Sequence, residues 1–254
     1  MTVSSTLIIG ASSAIANAIA NHVADQDCSQ TLIRISRSAL PKLSSATPSS
    51  LQLIDRQCDY GENAIASCCE EILASVQHLD YIFICNGVLH GHYQRHGKLH
   101  EFAPEKKLED VSIDNLEHVI RSNAVIPLLW LQHLLPLFAR NHPCKVVCFS
   151  ARVGSIQDNR LGGWYSYRAS KAMLNMLLKT TSIEFARRFK QVKLIAFHPG
   201  TTDSDLSKPF QANVPEGKLF SPDFVAQQLF NIVKTATFDQ QLSYLDWDNQ
   251  SIDF

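Results

Sequence analysis

Leu7-Ile8-Ile9-Gly10-Ala11-Ser12-Ser13-Ala14-Ile15-Ala16 passes from an apolar run of strand length, through small residues, into an alanine-rich helical pattern. A strand feeding a helix through so short a turn is half of a βαβ unit. The same alternation continues outward along the chain. Strand-like runs fall at 6–10, 31–36, 51–58, 81–85, 145–150, 192–197 and 242–245. Helix-like stretches fall between and after them, at 13–24, 61–77, 112–140, 163–188 and 222–235. This order predicts an α/β fold: a Rossmann-type doubly wound parallel sheet of about seven strands, with helices on both faces. No internal repeat or linker divides the chain, so a single domain over 1–254 is expected. Residues 44–50 are of low complexity and read as a loop. Two longer polar stretches, 90–110 and 201–220, also read as loops, of a length common in lids and binding loops.

Composition narrows the function. Apolar residues make up 45% of the 254 and charged residues 19%, which is ordinary for a globular protein. A formal net charge of -1 argues against a nucleic-acid or membrane-surface partner. Seven cysteines, an odd number without zinc-type pairing, point to reduced thiols and a cytoplasmic protein. The first six residues carry no basic region ahead of an apolar run, so no signal peptide is expected. No apolar stretch approaches a membrane span uninterrupted.

In sheets of this kind ligands bind at the carboxyl ends of the strands, where the strand order reverses. A turn of small residues there lets a pyrophosphate approach backbone amides at a helix N-terminus. Gly10, Ser12, Ser13, Ala14 and Ile15 suit that place; the alternative is a plain turn opening a helix. The second strand ends Arg34-Ile35-Ser36-Arg37-Ser38, where an adenosine ribose would be read. An acid there favours the 2′-hydroxyl and a base the 2′-phosphate. Arg37 is present and no acid is, which favours NADP(H), with NAD as the alternative; Arg37 as an ordinary surface arginine is the competing reading. Asp59, after the third strand, is placed to accept a hydrogen bond from the adenine amino group.

Tyr167 and Lys171 stand four apart in a predicted helix and share one of its faces. An ammonium beside a phenol favours the phenolate and lowers the phenol's pKa. Such a pair can exchange a proton with a substrate near neutral pH. Pro127, inside a helical pattern, lacks an N–H and should free the carbonyl of Asn123, four residues earlier, to bind water.

In this combination the chain resembles the short-chain dehydrogenase/reductases. The likeness runs in order through the glycine turn, Asp59, Cys85-Asn86-Gly87-Val88, Asn123, Ser150, Tyr167 with Lys171, and Pro199-Gly200. Ser150-Ala151-Arg152-Val153-Gly154-Ser155-Ile156 and His198-Pro199-Gly200-Thr201-Thr202-Asp203-Ser204-Asp205 resemble the C-factor-like (CsgA-like) branch and its carbonyl-reductase relatives. The resemblance implies that Tyr167 protonates a carbonyl oxygen as hydride arrives, and that Lys171 holds the nicotinamide ribose and keeps the Tyr167 pKa low. It implies that Asn123 anchors a water relay, that Pro199, Gly200 and Thr202 hold the carboxamide, and that Ser204 stands where a diphosphate-binding threonine is usual. Asn86 and Gly87 would face the cofactor.

Three departures from that pattern matter. Ala14 and Ala16 replace the later glycines of the turn. Ile84-Cys85-Asn86-Gly87 replaces Asn-Asn-Ala-Gly. Ser150-Ala151 replaces a serine pair whose second member orients the substrate, and adjacent strand residues point to opposite faces. Ser150 then serves only where the strand end turns, with Ser155 a distant substitute. His92, His96 and His100, at a spacing of four, would share a helix face, but Gly91 and Gly97 interrupt that helix; no metal is expected. The helix around 119–138 is apolar all round, which predicts burial against a second subunit in a homodimer or homotetramer. The function expected is hydride transfer between NADP(H) and a small carbonyl or alcohol. The alternative is a cofactor-binding signalling or regulatory protein with weak catalysis.

Overall fold

All seven strands expected from the apolar runs form, and they join one parallel sheet. The computed structural model describes residues 4–25, 31–44 and 50–254. In chain order, β1 (Ser5–Ile9) leads to α1 (Ala14–Asp25), then β2 (Thr31–Ser36), β3 (Gln52–Gln57), α2 (Glu62–Ser75) and β4 (Tyr81–Ile84). A hairpin of β5 (Gly91–Arg95) and β6 (Lys98–Phe102) precedes α3 (Ile113–Ile120), α4 (Ile126–His133) and the short α5 (Leu135–Phe138). β7 (Cys144–Phe149), α6 (Tyr165–Arg188), β8 (Val192–His198), the short β9 (Thr201–Thr202) and β10 (Leu219–Phe220), α7 (Pro222–Thr235) and β11 (Ser243–Asp246) complete the order. The low-complexity segment lies mostly outside the described residues, at 45–49.

The sheet runs β11-β8-β7-β4-β1-β2-β3. Helices α2, α4 and α6 bury their apolar stripes on one face, around Ile65, Trp130 and Leu178. Helices α1 and α7 cover the other, around Ile19, Phe83 and Leu229. Strands such as β1 and β2 are buried along their whole length because both faces are covered, which is why they read as unbroken apolar runs. The chain leaves β1 toward β2 on one side and returns to β4 on the other. That reversal opens a crevice at the carboxyl ends of β1 and β4.

Two expectations are corrected. The segment 90–110 is no plain loop: β5 and β6 pair antiparallel, with Tyr93 opposite His100. Their two-residue turn, His96 and Gly97, takes positive φ at both positions (49° and 72°), as the commonest hairpin turn demands. Tyr93 and Phe102 bury against Val119 of α3, which holds the hairpin to the body. His92 and His100 fall on opposite faces of this ribbon, so the three histidines share no helical surface. The helix expected over 112–140 divides instead into α3, a π-helical turn at Arg121–Val125, α4 and α5. The N–H of Ile126 reaches back five residues to the carbonyl of Arg121. A widened turn of this kind accommodates the donor that Pro127 lacks.

Candidate active site

One wall of the crevice is the turn after β1. Gly10 has φ 80°, and a Cβ there would lie 3.1 Å from the carbonyl carbon of Cys85 and 3.2 Å from the amide of Asn86. Backbone packed so closely admits only glycine. The amides of Gly10 and Ala11 both donate to the carbonyl of Ile35 at 2.9 Å, and Gly10 N–H also donates to the hydroxyl of Tyr60 at 3.0 Å. Ser12, Ser13, Ala14 and Ile15 then line the crevice. Ser13 Oγ accepts the amide of Ala16 at 3.3 Å, tying up a free donor at the start of α1. Ala16 is fully buried, its methyl packed between helix and sheet.

Asn86 and Gly87, just beyond β4, form the facing wall. Asn86 is buried, and its Oδ1 meets no donor among the described residues. Behind them Asn123, fully buried in the π-helical turn, clamps three elements. Its Oδ1 accepts the amide of Val88 at 2.7 Å, and its Nδ2 donates to the Val88 carbonyl at 2.9 Å and to Ser170 Oγ at 3.0 Å. Ser170 in turn donates to the carbonyl of Tyr167 at 2.7 Å. Asn123 thus fixes the loop after β4 to the helix that carries Tyr167.

Helix α6 brings Tyr167 and Lys171 to the floor of the crevice. Its entry is shaped by Trp164 in the left-handed region (φ 53°) and by Glu105, a buried carboxylate on the segment after the hairpin. Glu105 accepts the Ser166 amide at 3.1 Å and the Ser166 hydroxyl. A carboxylate on the first-turn amides compensates the free donors and the positive end of the helix. Gly154 packs so tightly on α6 that a Cβ there would lie 2.8 Å from Cβ of Lys171. Lys171 Nζ donates to the carbonyl of Phe149 at 2.7 Å and lies 5.7 Å from the Tyr167 ring centroid. Burial draws its pKa down to about 8. The expected lowering of the Tyr167 pKa is not found. Burial pushes the phenol up, with the Tyr244 hydroxyl adding to the rise, because losing water disfavours the phenolate.

The serine expected at the end of β7 borders both the crevice and the cavity beside it, but its hydroxyl is engaged within the protein. Ser150 Oγ, buried, donates to Asn175 Oδ1 at 2.7 Å, while Tyr244 OH donates to the carbonyl of Ala151 at 2.6 Å. Ala151 itself contributes a methyl to a second cavity of about 310 Å³ that opens beside Tyr167. Leu89, Val153, Trp164, Phe210 and Val214 give this cavity apolar and aromatic walls. Trp164 packs edge-on against Tyr167 and tilted against Phe210, with ring centroids 6.1 Å and 5.0 Å away. Besides Tyr167, the cavity's ionisable lining side chains are Arg152 and His198. Arg152 is paired with Asp158 at 3.2 Å and Asp246 at 2.8 Å. His198 is held near pKa 4 by burial first and by Arg152 second, and is therefore neutral.

The sequence-predicted residues divide accordingly. The Gly10 turn, Asn86, Gly87, Tyr167, Lys171, Pro199 and Ser204 meet around the crevice, and Gly200 and Thr202 line the adjoining cavity. Arg37 is exposed at the β2 end and its guanidinium lies 5.7 Å over the Tyr60 ring. Asp59 Oδ1 accepts the amide of Gly61 at 2.7 Å, at the entry to α2. Tyr60, Glu105, Ser170 and the aromatic wall were missed from the sequence. Ser170, inside the Tyr167–Lys171 interval, and Trp164, three residues before Tyr167, carried a local signal. Tyr60, Glu105 and Phe210 reach the site from segments distant in the chain.

The sequence model of the short chain dehydrogenase family matches residues 4–215, and the chain belongs to that family. It is 32% identical over 126 residues to 1-hydroxy-2-glutathionyl-2-methyl-3-butene dehydrogenase of Rhodococcus sp. strain AD45, a match covering 49% of this chain and 52% of that protein. It is 31% identical over 122 residues to C-signal of Myxococcus xanthus, covering 48% of this chain and 69% of that protein, which bears out the resemblance to the C-factor branch. The chain thus spans about half the length of the Rhodococcus protein and more of C-signal. Among solved structures, NADPH-bound carbonyl reductase from chicken fatty liver superposes with a TM-score of 0.81 at 17% identity, covering 100% of this chain and 95% of that one.

Proposed function

We propose that this short chain dehydrogenase is an NADPH-dependent reductase of small, neutral, largely apolar aldehydes or ketones. The observation that carries the proposal is the placement of Tyr167 and Lys171 where a nucleotide crevice meets an apolar cavity. The residues present fit a nicotinamide dinucleotide. Asn86 Oδ1 is a buried acceptor in want of a donor on the crevice wall. A Cβ at Gly87 would fill the space 3.5 Å from Lys171 Nζ, so the glycine leaves the ammonium accessible to a sugar hydroxyl. Gly10, Ser12, Ser13, Ala14 and Ile15 would hold the diphosphate together with Ser204, and Pro199, Gly200 and Thr202 the carboxamide. Arg37 would read the 2′-phosphate and Asp59 the adenine amino group. NADPH, when bound, supplies the hydride.

The protein's own part is to hold the carbonyl and deliver a proton. Tyr167 OH is the donor to the substrate oxygen. Burial keeps the phenol protonated at neutral pH, as a donor must be. Lys171, charged below about pH 8, supplies the positive potential that stabilises the phenolate as it forms. Asn123 holds the loop and helix on either side of the reacting atoms. We assign Ser150 a positioning role through Asn175, and Ala151 the place of the usual orienting hydroxyl, so the carbonyl is aligned by Tyr167 and by the shape of the cavity. Because Arg152 is already paired and His198 is neutral, the cavity offers no free cation among the described residues for an acidic substrate. NADPH oxidation with a panel of aryl and alkyl carbonyls and of oxo acids tests this. Turnover confined to oxo acids, or none alongside tight NADPH binding, would overturn it.

We further propose a cytoplasmic homodimer or homotetramer of single-domain subunits, assembled through α4 and α6. Leu128, Leu131, Leu135, Thr181 and Phe185 line a shallow groove there, and Met176 and Ile183 on α6 are 66% and 50% exposed. Leu131 is 2% exposed and belongs to the core, so Leu135→Glu is the selective test. It should convert the parent oligomer to monomer by light scattering, and a monomeric parent would refute the assignment.

A further inference from the structure

We infer that the amino ends of β4 and β7 carry a site for a divalent transition-metal ion, zinc in the first instance, formed by His78, Asp80 and His142. Asp80 stands immediately before β4, His78 two residues earlier, and His142 two residues before β7. The two strands pair side by side, with Tyr81 opposite Lys145, so their entry turns are brought together. These are the amino ends of the sheet; the crevice with Tyr167 lies at the carboxyl ends. The site is therefore separate from the proposed active site and does not depend on that function.

The geometry fits an ion. His142 Nε2 lies 3.0 Å from Asp80 Oδ1, and His78 Nε2 lies 3.9 Å from Asp80 Oδ2. One ligand atom from each of the three side chains falls within 4.8 Å of the others. A tetrahedral zinc ion, with bonds of about 2.0–2.1 Å, needs ligand atoms about 3.3–3.4 Å apart, and the two nitrogen-to-oxygen spacings, each to a different oxygen of Asp80, fall on either side of that value. The two imidazoles stack with centroids 3.8 Å apart and planes 29° apart, and each has its Nε2 within 4 Å of the Asp80 carboxylate. An ion takes neutral imidazole at Nε2, with the proton left on Nδ1.

The surroundings help to hold the carboxylate ligand in place. Asp80 Oδ2 accepts the amide of Ser5 at 2.7 Å, which fixes the carboxylate from behind, as outer partners do in built sites. The neighbouring cation, Arg140, points its guanidinium at the carbonyls of Val76 and Gln77, at 2.8 and 2.7 Å. The three side chains are 25–29% exposed, so an ion can enter from solvent and keep one or two water ligands. Two imidazoles and one carboxylate select borderline ions such as zinc, cobalt or nickel over magnesium or calcium, which prefer oxygen.

The test uses the full chain, stripped with a chelator and titrated with zinc chloride by calorimetry. Cobalt(II) visible absorption reports the ligand geometry. One site per chain is expected, with a higher Tm in zinc than in chelator. His78→Ala and His142→Ala should each weaken binding by roughly tenfold or more, and the double variant should abolish both the site and the zinc-dependent rise in Tm. His100→Ala, on the hairpin, should leave binding unchanged. Each histidine is partly exposed, so these variants should fold, and circular dichroism checks that they do. A parent that binds no zinc, or a folded double variant that binds as tightly as the parent, overturns the inference.

Discussion

Tyr167→Phe and Ser150→Ala should fail in opposite ways, because one hydroxyl is free to react and the other is bound into the core. The Tyr167 hydroxyl pairs with no protein group among the described residues, although the ring is 9% exposed. Its removal costs no internal hydrogen bond, and stability should change by less than about 0.5 kcal/mol. Loss of a positioned proton donor typically costs 10²–10⁴-fold in rate, or about 3–5 kcal/mol of transition-state stabilisation. Ser150 is the reverse case. Its hydroxyl donates to Asn175 Oδ1 in a buried setting where Asn175 Nδ2 already lacks a partner among the described residues, and the nearby Tyr244 proton is committed to the Ala151 carbonyl. Alanine there leaves a second buried atom unpaired, for about 1–3 kcal/mol. In a chain of this size that lowers Tm by about 2–12 °C, while kcat should stay within about threefold of the parent because the hydroxyl's proton is already given to Asn175. Thermal unfolding and steady-state NADPH oxidation on the same preparations read both effects. A Ser150→Ala protein with unchanged Tm and a hundredfold loss in kcat would show that the serine swings into the crevice. A Tyr167→Phe protein as fast as the parent would refute the assignment of the proton donor.

Lys171 should leave a signature in the pH dependence of stability. Its pKa falls from 10.5 to about 8 on folding, so below pH 8 both states are protonated and the desolvation penalty is fully present. Between about pH 8 and 10.5 the unfolded chain binds more protons, and stability should rise with pH by roughly 3 kcal/mol relative to Lys171→Met, as urea denaturation at several pH values will show. Arg37→Ala should erase a preference for NADPH over NADH of roughly tenfold to a hundredfold, measured by fluorescence titration, since a charge-assisted contact of about 1.5–3 kcal/mol is removed; equal affinities in the parent would contradict the role given to Arg37. Glu105→Gln keeps the shape of the cap on α6 but not its charge. It should lower kcat several-fold with little change in KM, and an unchanged kcat would mean that the first turn of α6 holds Tyr167 without it.

The seven strands, their parallel pairing and the helices between them were legible in the sequence because fully covered strands leave unbroken apolar runs, and amphipathic helices leave a period that needs no partner to be read. The Gly10 turn and the Tyr167–Lys171 face were legible for the same reason: each is a local geometry dictated by residues next to one another. The hairpin at Gly91–Phe102 escaped because its register rests on a two-residue turn in which a histidine, His96, takes positive φ, and because Tyr93 and Phe102 bury against Val119 of α3, which is distant in sequence. The direction of the Tyr167 pKa depended on desolvation, which spacing along a helix does not report. The partner of the Ser150 hydroxyl is Asn175, 25 residues away, and the cap on α6 is Glu105, 61 residues from Ser166. His78, Asp80 and His142 meet only because β4 and β7 lie side by side. Local backbone preference and the pattern of apolar side chains thus determine the frame from sequence alone. Where a polar group finds its partner, and how much water it loses, is decided when distant segments close over it.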